Sequence, residues 1–236
     1  MRLSNSWKNT KSFNCYIRFS NSQTEPKADK KKDIRGIALK LLNVEGEKTL
    51  NDKRDSKAQD FLLMSSETFF SKNIGEFRKT LKASTSKSKI KLLVYFLNPK
   101  HWGLLKRLIK TFIKCDNPLS IEYWSTQPYR FGNEYKAVKY YLKPSAENQT
   151  INQNIKDDNH LRTNLSQTLH SNSAKFEFYI QFQTDAVSMP IEDPTVPWDS
   201  EFIKVATLEI PSQDFNNEET DNFGENLSFN SWHTLT

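Results

Sequence analysis

Arg18 and Arg35 are two cations set inside apolar runs, the first in Phe13–Phe19 and the second in Ile34–Val44. A guanidinium taken out of water must be paired. Held within the fold, such an arginine is a structural ion; turned toward a ligand, its planar fork grips a carboxylate. Other reactive side chains are sparse. His101, His160 and His170 fall on or beside amphipathic segments and read as surface residues, while His233, next to Trp232, has no assignable role. Cys15 and Cys115 stand far apart with no CxxC or Cys/His spacing, so they read as reduced thiols, without a disulfide framework or a zinc site. There is no GxGxxG, GxxxxGKS/T, HExxH or GxSxG, which leaves the common nucleotide, zinc-protease and hydrolase chemistries without support.

The chain around these residues is 236 long, with 34 Lys+Arg against 28 Asp+Glu and a net charge of +6. Sixteen Phe, eight Tyr and five Trp are enough to build a core and argue against general disorder. The positive charge is concentrated in the first half, around Lys30–Lys32 and Lys87–Lys91, and reads as solvated loops and faces. Interleaved stacking aromatics of an RNA-binding pattern are missing, so no nucleic-acid partner is expected. No apolar h-region opens the chain and no run approaches membrane-span length, which leads to the expectation of a soluble, cytoplasmic protein with no membrane span.

Strands are expected at Phe13–Phe19, Ile34–Val44, Phe61–Met64, Ala137–Leu142, Phe176–Gln183 and Val205–Ile210. The third of these is short and apolar, and Phe176–Gln183 alternates strictly between apolar and polar residues. Gly36 inside its strand points to a bulge or a close backbone approach. Helices are expected over Lys72–Lys82, after Pro99 through Leu104, Leu105, Leu108, Ile109 and Phe112, and around Leu161, Leu165 and Leu169. With no βαβ alternation, this is an α+β domain on an antiparallel sheet or barrel. One domain over residues 12–236 is expected, after a disordered stretch at 1–11, with mobile loops near 20–32, 47–58 and 83–91.

Ile17-Arg18-Phe19-Ser20 resembles the Arg-Phe-Ser motif of catalases. Asp33-Ile34-Arg35-Gly36-Ile37-Ala38-Leu39-Lys40 resembles their Asp-X-Arg-Gly-apolar-Ala-apolar-Lys segment, and Phe69-Phe70 with Phe77 is similar to their distal-side phenylalanines. Arg130-Phe131-Gly132, Met189-Pro190-Ile191-Glu192-Asp193, Gln213-Asp214-Phe215 and Leu227-Ser228-Phe229-Asn230 follow in the order of the small bacterial catalase-related branch. The resemblance implies an antiparallel β-barrel with peripheral helices around a buried haem. It would make haem the cofactor and peroxide or an organic hydroperoxide the substrate. By match of motif, Arg18 would pair a haem propionate, Phe69 would line the distal pocket, Phe77 would pack on the porphyrin, and Arg35 would brace the strands.

The same comparison removes the chemistry. The family's distal histidine precedes the Arg-Phe-Ser strand, and none of the 17 residues before Arg18 is His. Its proximal tyrosine lies in an arginine-rich helix beyond the Trp-His segment, and its distal asparagine falls at Met64. Ser65-Ser66-Glu67 stands where the family has an Asn-X-Pro turn. No residue is therefore assigned to catalysis or to metal ligation. The expected function is the haem-binding domain of a peroxide- or hydroperoxide-metabolising protein, truncated at both ends. The rival is a non-catalytic remnant of the fold that binds a partner.

Overall fold

Alternation sets the sheet. In the computed structural model, which describes residues 2–3, 11–22, 27–50, 57–84, 89–132, 136–153 and 157–235, nine strands pair antiparallel. They are β1 (Arg2–Leu3), β2 (Cys15–Asn21), β3 (Arg35–Leu41), β4 (Gln59–Met64), β5 (Tyr123–Trp124), β6 (Tyr129–Phe131), β7 (Lys136–Pro144), β8 (Ala174–Phe182) and β9 (Phe202–Ile210). Their order is β1-β9-β8-β7-β5-β4-β3-β2, with β6 also on β7. The sheet curls into a half-barrel with a few helices around it. These are α1 (Ile74–Ser84), α2 (Lys89–Leu97), α3 (Trp102–Thr111), α4 (His160–Ser171) and α5 (Glu218–Asn226).

On β3, Ile37, Leu39 and Leu41 face inward and are buried, while Gly36, Ala38 and Lys40 face outward. On β8, Phe176, Phe178 and Ile180 do the same against Lys175, Glu177 and Tyr179. The inward sets meet Leu165 and Leu169 of α4 in one core. Phe61 sits edge-on to both Tyr140 and Phe178, at 5.0 and 5.4 Å between centroids; such pairs add about 1 kcal/mol each beyond the area they bury. Between β8 and β9 the register slips, from Phe178 opposite Ala206 to Tyr179 opposite Lys204. The extra residue, Val205, makes a bulge that sharpens the local twist.

All six expected strands form, with bounds moved by no more than three residues. β1, β5 and β6 were not anticipated, because runs of two or three residues carry no period to read. Lys89–Leu97 is helical where a loop was expected through residue 91, its apolar residues having been masked by the adjoining Lys/Ser run. Pro99 opens a 3₁₀ turn, Pro99–His101, capped by the Asn98 side chain, and α3 follows from Trp102. α5 is polar, and its start is marked by Asn217, whose side chain accepts from the Thr220 N–H. The expected disordered segment 1–11 lies mostly outside the described residues, as do parts of the loops 20–32, 47–58 and 83–91 and the Asn133 end of the turn read after Gly132.

Candidate functional site

Three strands build one outward surface. Ser20, Gly36 and Met64 lie across β2, β3 and β4 in one rung; Arg18, Ala38 and Leu62 form the next, and Tyr16, Lys40 and Asp60 the third. The middle of this surface is flat, because Gly36 and Ala38 project almost nothing. A Cβ at Gly36 would lie 2.7 Å from Ser20 Oγ, which is the close approach that the glycine in this strand foreshadowed.

A returning segment, residues 227–235, lies over the third rung. Arg18 donates to the Leu227 carbonyl at 3.3 Å, and its guanidinium stands 5.2 Å from the Phe229 ring centre. Lys40 Nζ approaches the same ring at 5.3 Å. The fully buried carboxylate of Asp60 is the fixed point: it accepts Lys40 Nζ on both oxygens, at 2.6 and 2.8 Å. Its Oδ2 also takes the Asn230 N–H at 2.9 Å and lies 3.0 Å from His233 Nδ1. Backbone bonds from Asp60 N–H to the His233 carbonyl and from Thr49 N–H to the Thr234 carbonyl complete the fastening. Sequence reading missed this hub; its one signal was a lysine in β3 and an aspartate in β4 at polar positions of otherwise apolar strands.

Behind β2 opens a cavity of about 710 Å³, lined by the whole of β2 together with parts of α4 and α5. Both Arg18 and Arg35 line it. Arg35 is buried and held by neutral oxygens: Asn21 Oδ1 at 2.5 Å and the carbonyls of Asp29 and Lys31 at 3.1 and 3.2 Å. It ties β2 and the following loop to β3. Its charge counteracts the burial that pushes the Cys115 thiol up to about 12 and Tyr123 well above the usual phenol range. Ser65, beside Met64, accepts the Arg35 N–H at 2.9 Å and is thereby committed to structure.

Phe69 and Phe77 meet each other, at 5.5 Å between centroids, and Phe70 stacks on Phe69 at 4.5 Å. This cluster follows β4 beyond Met64, where Arg107 donates to the Phe70 carbonyl at 2.8 Å. Neither Phe69 nor Phe77 lines the cavity that holds Arg18. Of the histidines, His160 is buried rather than on the surface: its ring bonds the carbonyls of Asp157 and Cys115, locking the start of α4. His101 stacks on Tyr95 at 3.9 Å. Among the described residues, no cluster of three or more His, Cys, Asp or Glu is placed to hold a metal ion, and no helix is long and apolar enough to cross a membrane.

No protein-family model matches the chain, and no curated protein matches it in sequence. Solved structures do match. A fungal catalase superposes with a TM-score of 0.74 at 17% identity, covering 94% of this chain and 47% of the other. Catalase A from Saccharomyces cerevisiae gives 0.66 at 17% identity, over 87% of this chain and 45% of the other. A bacterial catalase gives 0.64 at 14%, over 87% and 42%. The chain spans a little under half the length of the catalases it matches, and what it shares with them is the fold.

Proposed function

We propose that this catalase-like fold is a haem-binding domain, in which Arg18 pairs a haem carboxylate and Phe69 and Phe77 supply an aromatic wall. The observation that carries the reading is Arg18 itself, a cation beside a flat floor on a sheet with the catalase fold. The outward surface fits a flat macrocycle: Gly36 and Ala38 leave it level, and Leu62 and Met64 make it apolar. Among the described residues no carboxylate pairs with Arg18, whose partners are a carbonyl and a ring. Arg18 is exposed and not taken out of water as its place in an apolar run suggested, so a carboxylate would gain from it chiefly as the macrocycle covers the pair.

Bound haem would supply the iron chemistry by which peroxides and organic hydroperoxides are split. The chain's own part is to bind and orient the group. Arg18 would fix its carboxylate edge, and the phenylalanine cluster beyond β4 would bound it on the other side. No residue is assigned to the iron or to proton transfer, so turnover by this chain alone is not part of the proposal.

A haemin titration followed at the Soret band tests it. Saturable uptake is expected, with Arg18→Ala binding about tenfold more weakly, the loss of one charge-assisted hydrogen bond. An unshifted Soret band with intact circular dichroism would sink haem binding. Equal affinity of the two proteins would remove Arg18 from the site.

A further inference from the structure

β2 ends the strand order, and among the described residues nothing pairs with its outer edge. The register decides which groups face out. Ser22 N–H donates to the Ile34 carbonyl and Leu42 N–H to the Asn14 carbonyl, so the even-numbered residues Tyr16, Arg18 and Ser20 exchange bonds with β3. Cys15, Ile17, Phe19 and Asn21 therefore turn their N–H and C=O groups away from the sheet. Such an edge is usually guarded by lysine, proline or a bulge. Here the strand reads CYIRFSN, with Arg18 as its one charge, and pairs with β3 without a break in register.

The edge is also recessed. It lines the cavity of about 710 Å³ together with Leu165 and Leu169 of α4, Phe223 of α5 and Phe215, and Arg162 of α4 donates to Asp221 of α5 at 2.7 Å. A second copy of this chain carries its own helices beside its β2 and cannot bring that edge into the slot. A single extended segment brings no such helices. Its main chain would meet the row of outward N–H and C=O groups, and alternate apolar side chains would meet the walls. Arg18, without a carboxylate partner among the described residues, complements an acidic side chain directly across the new pair.

We propose that this groove takes one extended segment of another polypeptide as an added strand on β2, apolar at alternate positions and acidic opposite Arg18. Both readings use the Arg18 guanidinium, so haemin is left out of the test, whose outcome then stands whether or not the protein takes haem.

The probe is a fluorescein-labelled nine-residue peptide alternating valine and threonine, with a central glutamate, titrated with the full chain and read by anisotropy. Saturable binding is expected. Two versions of the peptide, N-methylated at odd or at even positions, should separate by at least tenfold, since an added strand pairs along one edge only. Ile17→Pro removes an outward N–H without touching the bonds to β3, an edge position that tolerates proline, and should weaken binding at least tenfold with circular dichroism unchanged. If that variant does not fold, the methylated pair on the unaltered protein still decides. No binding, equal affinity of the two methylated peptides, or self-association that excludes the peptide would each overturn the proposal.

Discussion

His233 Nδ1 lies 3.0 Å from Asp60 Oδ2, although 173 positions separate the two residues. The contact fastens residues 227–235 to β4 through a carboxylate that also neutralises Lys40. Removing that charge should therefore act at two places at once. Asp60→Asn strands the largely buried ammonium of Lys40 and loosens the returning segment. A loss of about 3 kcal/mol is expected, the usual cost of breaking one side of a buried pair. Thermal melting reads the loss, and amide exchange at 229–235 should speed up more than at β8.

Lys139 gives a pH dependence of definite sign. It is buried on β7 with Trp198 stacked 4.8 Å from its ammonium, and burial lowers its pKa to about 8, against an attraction to Glu67. Its folded value lies below the ordinary lysine value of 10.5. Between those two values the unfolded chain holds a proton that the folded one lacks, so this residue's contribution to stability rises with pH from about 8 to 10.5. Below pH 8 the cost is full. Lys139→Met should stabilise by about 2 kcal/mol at pH 7, and the gap to the unaltered protein should close by pH 10.5. A gap independent of pH would refute the assignment.

Asn117, fully buried, joins three pieces of chain. Its amide donates to the Ile151 carbonyl and to Thr168 Oγ1, both at 3.0 Å, and its Oδ1 takes the Leu119 N–H at 3.0 Å. Asn117→Leu takes the partner from the Leu119 N–H and the Ile151 carbonyl, while Thr168 Oγ1 keeps the Ile151 N–H, a cost of about 3 kcal/mol. Chemical denaturation measures it. A change below about 0.5 kcal/mol would mean that water replaces the amide.

Gly36→Ala puts a methyl group 2.7 Å from Ser20 Oγ. A loss of about 1 kcal/mol is expected from such overpacking. Ser20→Ala in the same chain should recover most of it, because the clashing atom is then gone. Two independent, additive losses would show that the strain lies in the backbone and not in the pair.

The long strands were legible because their period survives in the residues themselves: Phe176, Phe178 and Ile180 alternate with Lys175, Glu177 and Tyr179, and both sets face where the pattern puts them. Arg18 and Gly36 were legible as exceptions within apolar strands. What could not be read was whatever depends on two distant segments meeting. Asp60 and His233 are ordinary residues until the chain folds back. His160 looked like a surface residue because its burial comes from the carbonyl of Cys115, 45 positions away. Short β5 and β6 owe their form to the neighbouring β7, whose sequence they do not resemble.

The hold of residues 227–235 on Asp60 also sets an order of events in time. β2, β3 and β4 are joined by connections of 13 and 17 residues, so their pairing closes loops far smaller than the one to His233. The outer side of those strands is finished only after a loop of 173 residues has closed, a slower step, since loop-closure entropy grows with length. During synthesis, β2–β4 emerge well before the segment that covers them. Through that interval Lys40 and Asp60 have each other but not Phe229 or His233, and the nascent domain shows a surface that the finished one hides.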